Sequence, residues 1–342
     1  MFKNTAVRLD HDSDFGATAV GRLLLAEPIG VIDIGARDGV HEMFDPLGKL
    51  ARILAFEPDA QGYAELLKDA ALFERFAGVE LRAEAVGDGA EAPFYVQAKP
   101  TNNSLLPPNP DLVERYRMLL FRYVSQGRVR TRRLDDIVFE PEAGLARMGE
   151  IIKIDTQGSE QLIFENAPRV LRENTIAVVS EVWFCEIYKG QPLFYDLCAA
   201  LARQGLSFYG FTSMFLRSGK RVDKRACLGR ERALYADAVF VKDPFDDPRR
   251  KPSERHLAVL LTFALLTGYF DLALEIAETY GGEENEKLAL VARRIAEADS
   301  QAIMRFAETA MEDARGDPQR AVIALGKFAD RWRDSFDFGD QA

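Results

Sequence analysis

The sequence predicts an α/β fold: a mostly parallel sheet closed by an antiparallel final pair, with a small C-terminal α-helical module. Three observations lead there. Short apolar runs, several bounded by Gly, Asp or Pro, alternate with helical patterns through the first half of the chain. The last two runs are separated only by a polar, turn-rich loop. A charged, proline-containing stretch then gives way to a pattern that is helical throughout.

Residues 1–29 alternate charged and apolar positions and read as an N-terminal helical lead-in. The run Leu23-Leu24-Leu25-Ala26 is cut off by Glu27-Pro28, too short for a signal-peptide core or a membrane span. Strands are expected at Val31 to Ile34, Ile53 to Phe56, Val79 to Val86, Ile151 to Ile154, Ala177 to Val182, Leu206 to Phe211 and Ala236 to Val241. Helical patterns such as Tyr63-Ala64-Glu65-Leu66-Leu67 and Leu162-Ile163-Phe164 lie between the early pairs. These elements make one catalytic domain over residues 30–243. Asp243 to Pro252 holds Pro244, Pro248 and Pro252 among dense charge, so it neither extends a strand nor starts a helix, and a boundary is placed there. From Ser253, a helix cap, Leu257, Leu260, Leu261, Ala264 and Leu265 keep helical spacing until Gly268. Three more helices follow, broken at Gly281-Gly282 and near Gly316-Asp317-Pro318. Residues 253–342 are therefore expected to be a separable helical module, acidic in balance and suited to homodimerisation or a protein partner.

The 342 residues are 47% hydrophobic and carry a formal charge of -10, an ordinary globular composition that opposes general attraction to nucleic acid or anionic lipid. Cys185, Cys198 and Cys227 form no close-spaced ligand cluster, and three His offer too few partners for structural zinc. A reduced, cytoplasmic protein without a membrane span is expected.

Val31 to Gly39 is the most informative segment, because an apolar strand runs into a glycine-bounded turn. A dinucleotide loop would place glycines at its first, third and sixth positions, and here those positions are Gly35, Arg37 and Val40. Asp33 at the strand end would repel a pyrophosphate and attract the amino group of S-adenosyl-L-methionine, which has no phosphate. The loop residues Gly35, Ala36, Arg37, Asp38 and Gly39 are thus candidate cofactor contacts. Glu57 ends the second strand, where a carboxylate can accept from both ribose hydroxyls, with Pro58 and Asp59 behind it. Glu84, Ala85 and Val86 close the third strand, on the expected adenine side.

These residues resemble the FkbM family of methyltransferases. The resemblance is carried by Asp33-Ile34-Gly35 with Gly39, Phe56-Glu57-Pro58, Ala85-Val86-Gly87-Asp88, Leu134-Asp135-Asp136 and Ile152 to Glu160. Glu181 followed by Tyr188 to Phe194 extends it, so that it spans about Val31 to Val241. It implies a seven-stranded Rossmann-like class I methyltransferase sheet, S-adenosyl-L-methionine as donor with S-adenosyl-L-homocysteine as product, and O-methylation, often of a sugar or natural product. Arg37-Asp38 stands where many relatives carry Ala/Asn-type residues, and Gln157 and Ser159 replace the Glu and Phe common in that segment.

A methyl on sulfonium is already activated, so the protein has to align the acceptor and remove or screen its proton. Asp155 at the end of the fourth strand is the leading candidate base, with Glu181 on the fifth strand beside it. Glu160 opens the following helix, where its charge also suits the helix dipole. His41, just past the glycine loop, is a further candidate base, against a plainer role on the helix surface. Lys153 is read as pairing with an acid. The three acids holding Mg²⁺ is a less favoured reading, since no Asp-Asp or Asp-Asn pair marks a cage, and no metal is assigned.

Asn103, Ser104, Arg130 and Tyr188 are candidate contacts for a small-molecule or glycan acceptor. Arg130 belongs to a cluster with Arg115, Arg117, Arg122, Arg128, Arg132 and Arg133, interleaved with Tyr116, Phe121 and Tyr123. It reads either as an anion-binding lid or as a solvated helix face paired with local acids. Two other classes stay open: a nucleic-acid-modifying methyltransferase using this segment, and a catalytically silent cofactor-binding scaffold.

Overall fold

A computed structural model describes residues 7–221, 230–246, 251–280, 282–313 and 315. Cys227, parts of the 243–252 connection and the chain beyond the third C-terminal helix, including the break expected near Gly316-Asp317-Pro318, lie outside the described residues. Ten strands occur among those described: β1 (Ile29–Ile34), β2 (Ala51–Phe56), β3 (Gly78–Arg82), β4 (Ala85–Val86), β5 (Glu91–Gln97), β6 (Tyr123–Arg132), β7 (Ile151–Ile154), β8 (Ala177–Trp183), β9 (Ser207–Arg217) and β10 (Arg232–Val241). Seven form one sheet in the order β3-β2-β1-β7-β8-β10-β9. Each apolar run singled out in the sequence supplies one of them, except that the run Val79 to Val86 divides: β3 ends at Arg82, and Ala85–Val86, expected to close that strand, form β4 in a second sheet. Pairing is parallel from β3 through β8, while β10 runs antiparallel to both β8 and β9. The order reverses between β1 and β7, which opens a crevice at their carboxyl ends.

Helices α1 (Ser13–Gly16) and α2 (Ala19–Ala26) precede β1, and α3 (Ala60–Leu66) and α4 (Ala70–Arg75) link β2 to β3. Then α5 (Pro110–Arg115) lies between β5 and β6, α6 (Leu134–Val138) before β7, α7 (Glu160–Glu165) and α8 (Pro168–Glu173) before β8, and α9 (Phe194–Ala202) before β9. After β10 come α10 (Glu254–Thr267), α11 (Phe270–Tyr280) and α12 (Asn285–Asp313). None of the helices described is long and apolar enough to cross a membrane.

Period-two alternation in β1 divides the core between the sheet faces. Ile32 and Ile34 join Leu54, Phe56 and side chains of α6 to α9 on one side. Val31 joins Ile53, Val179 and Val241 on the other, and there the cover is α2 together with α10, α11 and α12. This departs from the expectation of a separable C-terminal module. Ala258 to Leu266 of α10 are nine consecutive buried residues, too many for one stripe of a surface helix. Arg255 forms a close pair with Glu150 (2.6 Å), whose Oε2 also accepts from Gly30 N (2.8 Å), so the start of α10 is tied to the start of β1. Ser253 Oγ accepts from His256 N, and Gly268 ends the helix with φ +80°, as the sequence indicates.

The Arg-rich segment also differs from the expected helix face. Tyr123 to Arg132 is strand β6, central in a second sheet of order β4-β6-β5. Its arginines meet acids: Arg128 lies 2.9 Å from Glu91, and Arg132 lies 3.2 Å from Glu84 and 3.5 Å from Glu140.

Candidate active site

A cleft opens at the carboxyl ends of β1, β2 and β7, with the β5 arm against it. Its walls include Gly35 and Arg37 after β1, Glu57 and Pro58 after β2, Ala85 and Val86 of β4, and Asp155, Thr156, Gln157 and Ser159 after β7. Phe94, Pro100, Thr101, Asn103, Ser104 and Leu105 close it from the arm.

The glycine turn is dictated by space as well as by backbone angle. Gly35 has φ +93°, and a Cβ there would meet Asp155 O at 2.0 Å, so only glycine lets the β1 loop approach the end of β7. Asp33 lies beneath this turn, fully buried, with Oδ2 accepting from His41 N at 2.7 Å. Its Oδ1 is a buried acceptor without a donor, and burial raises the carboxyl's pKa. Asp33 thus anchors the loop from below through His41 N, with Oδ1 left open to a further donor. His41 is likewise structural: Nδ1 accepts from Met43 N and caps a 3-10 helix over Glu42–Leu50. Burial, reinforced by Lys153, pushes its pKa down to about 3, so a neutral imidazole with this bond is poorly suited to the base role considered for it. Ala36 is buried and Asp38 exposed.

At the second strand Glu57 walls the cleft. Its Oε1 accepts from Asp59 N (2.7 Å), and burial raises its pKa against the pull of that bond and of Arg37. Asp59 caps α3 through Gln61 N and Gly62 N. Arg37 Nη1 lies 3.0 Å from Asp59 Oδ1, an ion pair outside hydrogen-bond alignment, which leaves Nη1 a buried donor without an acceptor. A Cβ on Gly62 would press on Glu57 Cγ at 3.1 Å and Arg37 Cγ at 3.2 Å, so the acid and the guanidinium sit in a cradle that glycine keeps open. Glu84 turns to Arg132 and Arg82 instead of the cleft.

At β7 the acids converge. Ligand atoms of Asp155, Glu160 and Glu181 lie within 4.8 Å of one another. N–H donors already serve this trio. Gln157 Nε2 bridges Asp155 Oδ1 (2.7 Å) and Glu181 Oε2 (2.9 Å), and Trp183 Nε1 donates to Glu181 Oε2 (3.0 Å). Glu160 Oε1 accepts from Thr156 N (2.8 Å), and Oε2 from Gly158 N (3.0 Å). Such bonds suit hydrogen-bonded carboxyl groups better than the oxygen-rich, partly hydrated shell of Mg²⁺. Burial pushes Glu160 up to about 7, and burial with the charge of Asp155 raises Glu181 well above the carboxylate range. Asp155 is the least buried of the three and the one that walls the cleft. Burial alone would lower the Lys153 ammonium, but Asp155, Asp33, Asp237 and Glu181 surround it and raise its pKa overall, so it stays a cation, with Nζ 3.9 Å from Asp155 Oδ2.

Of the candidate acceptor contacts, Asn103 and Ser104 wall the cleft, Asn103 Oδ1 accepting from Gln97 N and Ser104 Oγ donating to Gln157 O (2.7 Å). Tyr188 is fully buried, its Oη 2.6 Å from Gln157 Oε1 and 3.0 Å from Asn102 O, so it braces Gln157 from behind. Arg130 is exposed on β6 opposite Glu91, away from the cleft walls. Sequence reasoning missed Gln157 as the link between Asp155 and Glu181; its place two residues after the strand-end acid was the available signal. Phe94, Pro100 and Thr101 carry no local signal, because a distant arm brings them in.

The methyltransferase FkbM domain model matches residues 33–208. No curated protein matches the sequence. Among solved structures, a methyltransferase FkbM from Methylobacillus flagellatus KT aligns at 13% identity and TM-score 0.33, over 63% of this chain and 43% of that one. This chain thus spans less than half of that protein. Magnesium protoporphyrin IX methyltransferase from Synechocystis PCC 6803, with bound SAM, aligns at 9% identity and TM-score 0.32, over 65% of this chain and 75% of that one. Precorrin-6y C5,15-methyltransferase from Geobacter metallireducens GS-15 aligns at 13% identity and TM-score 0.32, over 69% and 92%.

Proposed function

This chain belongs to the FkbM methyltransferase family, and from that premise we propose that it is an S-adenosyl-L-methionine-dependent O-methyltransferase acting on a hydroxyl of a sugar, glycan or natural product. One observation carries the reading: Asp155, the most exposed of three clustered acids, walls the same cleft as Gly35 and Glu57. When bound, the cofactor supplies a methyl group that its sulfonium has already activated. Glu57 is the residue to accept from ribose hydroxyls, the turn from Gly35 to Gly39 receives the methionine end, and Ala85, Val86 and Phe94 offer apolar surface to the adenine.

The chain's own chemistry is then proton handling and orientation. Asp155 accepts the proton of the acceptor hydroxyl at a carboxylate oxygen, while Gln157 Nε2 holds Oδ1 and Lys153 supplies a fixed positive charge nearby. Burial and the charge of Asp155 raise the Glu181 carboxyl well above the carboxylate range, and Asp155 is the acid of the trio that walls the cleft. Asn103 and Ser104 sit where an acceptor's polar groups can meet them.

The test is methyl transfer to a panel of sugar and natural-product alcohols, with S-adenosyl-L-homocysteine affinity measured alongside. Asp155→Asn keeps the side chain's shape but accepts protons poorly, so turnover should fall by about 10²- to 10⁴-fold with product affinity little changed. Wild-type turnover in that variant would clear Asp155 of the base role.

A further inference from the structure

We propose that a second pocket, walled by arginines at the same end of the sheet, holds a phosphoryl group of the methyl acceptor; the acceptor role rests on the methyl-transfer reading above. β10 pairs with β8 up to Tyr235 opposite Trp183, then continues to Arg232, opposite Arg217 of β9. Three further residues of strand carry Arg232 about 10 Å beyond the end of that pairing. The ligand-binding end of an open α/β sheet lies on this side.

Arg217 and Arg232 form one wall of the pocket, and Arg115 and Arg117, from the end of α5, form the other. The segments touch, since a Cβ on Gly219 would lie 3.6 Å from Arg115 O. Six arginines line this cavity with two acids, Asp111 and Glu114, and Glu231 between Arg230 and Arg232 acts on Arg217, in a chain whose net charge is -10. Glu114 also lies 3.6 Å from Arg122, outside the pocket wall. Among the described residues no carboxylate lies within ion-pair distance of Arg115, Arg117 or Arg232, unlike Arg128 and Arg132 on β6.

Two details indicate that these arginines are held in place. Arg117 adopts φ +52°, a left-handed conformation that glycine takes without strain, and the bonds from Arg117 N to Glu114 O and from Met118 N to Val113 O fix it at the helix end. Arg232 Nη1 donates to Tyr116 Oη at 3.1 Å. Tyr116 packs in one buried cluster with Trp183 and Tyr188. Trp183 in turn donates to Glu181, so this cluster runs from the pocket's Tyr116 to the acids of the cleft. Several guanidinium forks offer more donors than one carboxylate accepts, and they match the many oxygens of a phosphate or diphosphate ester.

Calorimetry of the full chain with inorganic pyrophosphate at low salt, beside S-adenosyl-L-homocysteine, tests this. Wild type should bind pyrophosphate, Arg117→Ala and Arg232→Ala should each weaken it about tenfold, and Arg128→Ala should leave it unchanged. Homocysteine-product affinity should be equal in all four proteins, which shows the exposed substitutions leave the fold intact. No pyrophosphate binding, or an equal loss in Arg128→Ala, would overturn the site. Tighter binding of a short single-stranded oligoribonucleotide, lost in Arg117→Ala and Arg232→Ala, would overturn the small-acceptor assignment. Pyrophosphate binding without any binding of S-adenosyl-L-homocysteine would instead sink the methyl-transfer reading and the acceptor role with it.

Discussion

A carboxyl and an imidazole near the cleft titrate in opposite senses, and both do so because they are shut away from water. Burial raises Glu160 from 4.5 to about 7 in the folded chain, so its contribution to stability is complete below the unfolded value and is lost as pH rises through about 7. Wild type should therefore lose roughly 3 kcal/mol relative to Glu160→Gln across that window, read from denaturant titrations at successive pH values. A constant difference between the two proteins would show that Glu160 ionises as freely folded as unfolded. His41, lowered from 6.5 to about 3, works the other way: its contribution is present above the unfolded value and is lost as pH falls through the folded one. Its ring resonances should stay those of a neutral imidazole down to about pH 5, and a midpoint near the ordinary histidine value would place it in water. Gly35, Glu57 and Asp155 were legible in the sequence because strand-end position alone fixes where they lie. The outward turn of Glu84 to Arg132, the burial of Asp33 and the exposure of Arg130 were not, since partners distant in sequence, or a loop folded over the top, decide them.

At the scale of elements, six apolar runs each became one strand and the run Val79 to Val86 became two, β3 and β4 in separate sheets, while the missing helix between the last two runs correctly marked the antiparallel pair. The β5–β6 arm escaped because its exposed, arginine-bearing strand has no buried face to impose an apolar alternation. The final helices were recognised as helices, but their place in the fold was not. A proline-rich connection says where one element ends, and carries no information about what the next one packs against. Since α10 covers the sheet face bearing Val31, Ile53 and Val241, its loss would uncover a core surface. Each large side chain of α10 contributes about 1.5–3 kcal/mol by burial, and a handful of them equals the whole net stability of a typical domain, about 5–15 kcal/mol. Truncation after Lys251 should consequently yield an aggregated or molten chain, whereas a monomeric truncated protein with a cooperative melt would restore the independent helical module. Arg255→Ala is the milder version. It leaves Glu150 buried beside Gly30 N without its cation and should cost about 3–5 kcal/mol in a chemical denaturation series.

Over the whole molecule, the family match from residue 33 to 208 covers the parallel half of the sheet and both sides of the cleft. The antiparallel end and the final helices extend beyond it: the first supplies one wall of the arginine pocket, whose other wall is Arg115 and Arg117 within the match, and the second covers one sheet face. The charge of -10 is thus unevenly spread, with acids gathered over the reacting end and arginines collected past the edge of β8. The account stands on the cleft being a site for an adenosyl cofactor without phosphates. Calorimetric titration of wild type and Glu57→Ala with S-adenosyl-L-homocysteine, with NAD as the competing ligand, addresses that directly. Wild type should bind S-adenosyl-L-homocysteine and not NAD, and Glu57→Ala should weaken the binding by about ten- to a hundredfold through loss of charge-assisted hydrogen bonds. Binding of NAD alone, or an affinity for S-adenosyl-L-homocysteine that Glu57→Ala leaves untouched, would contradict it.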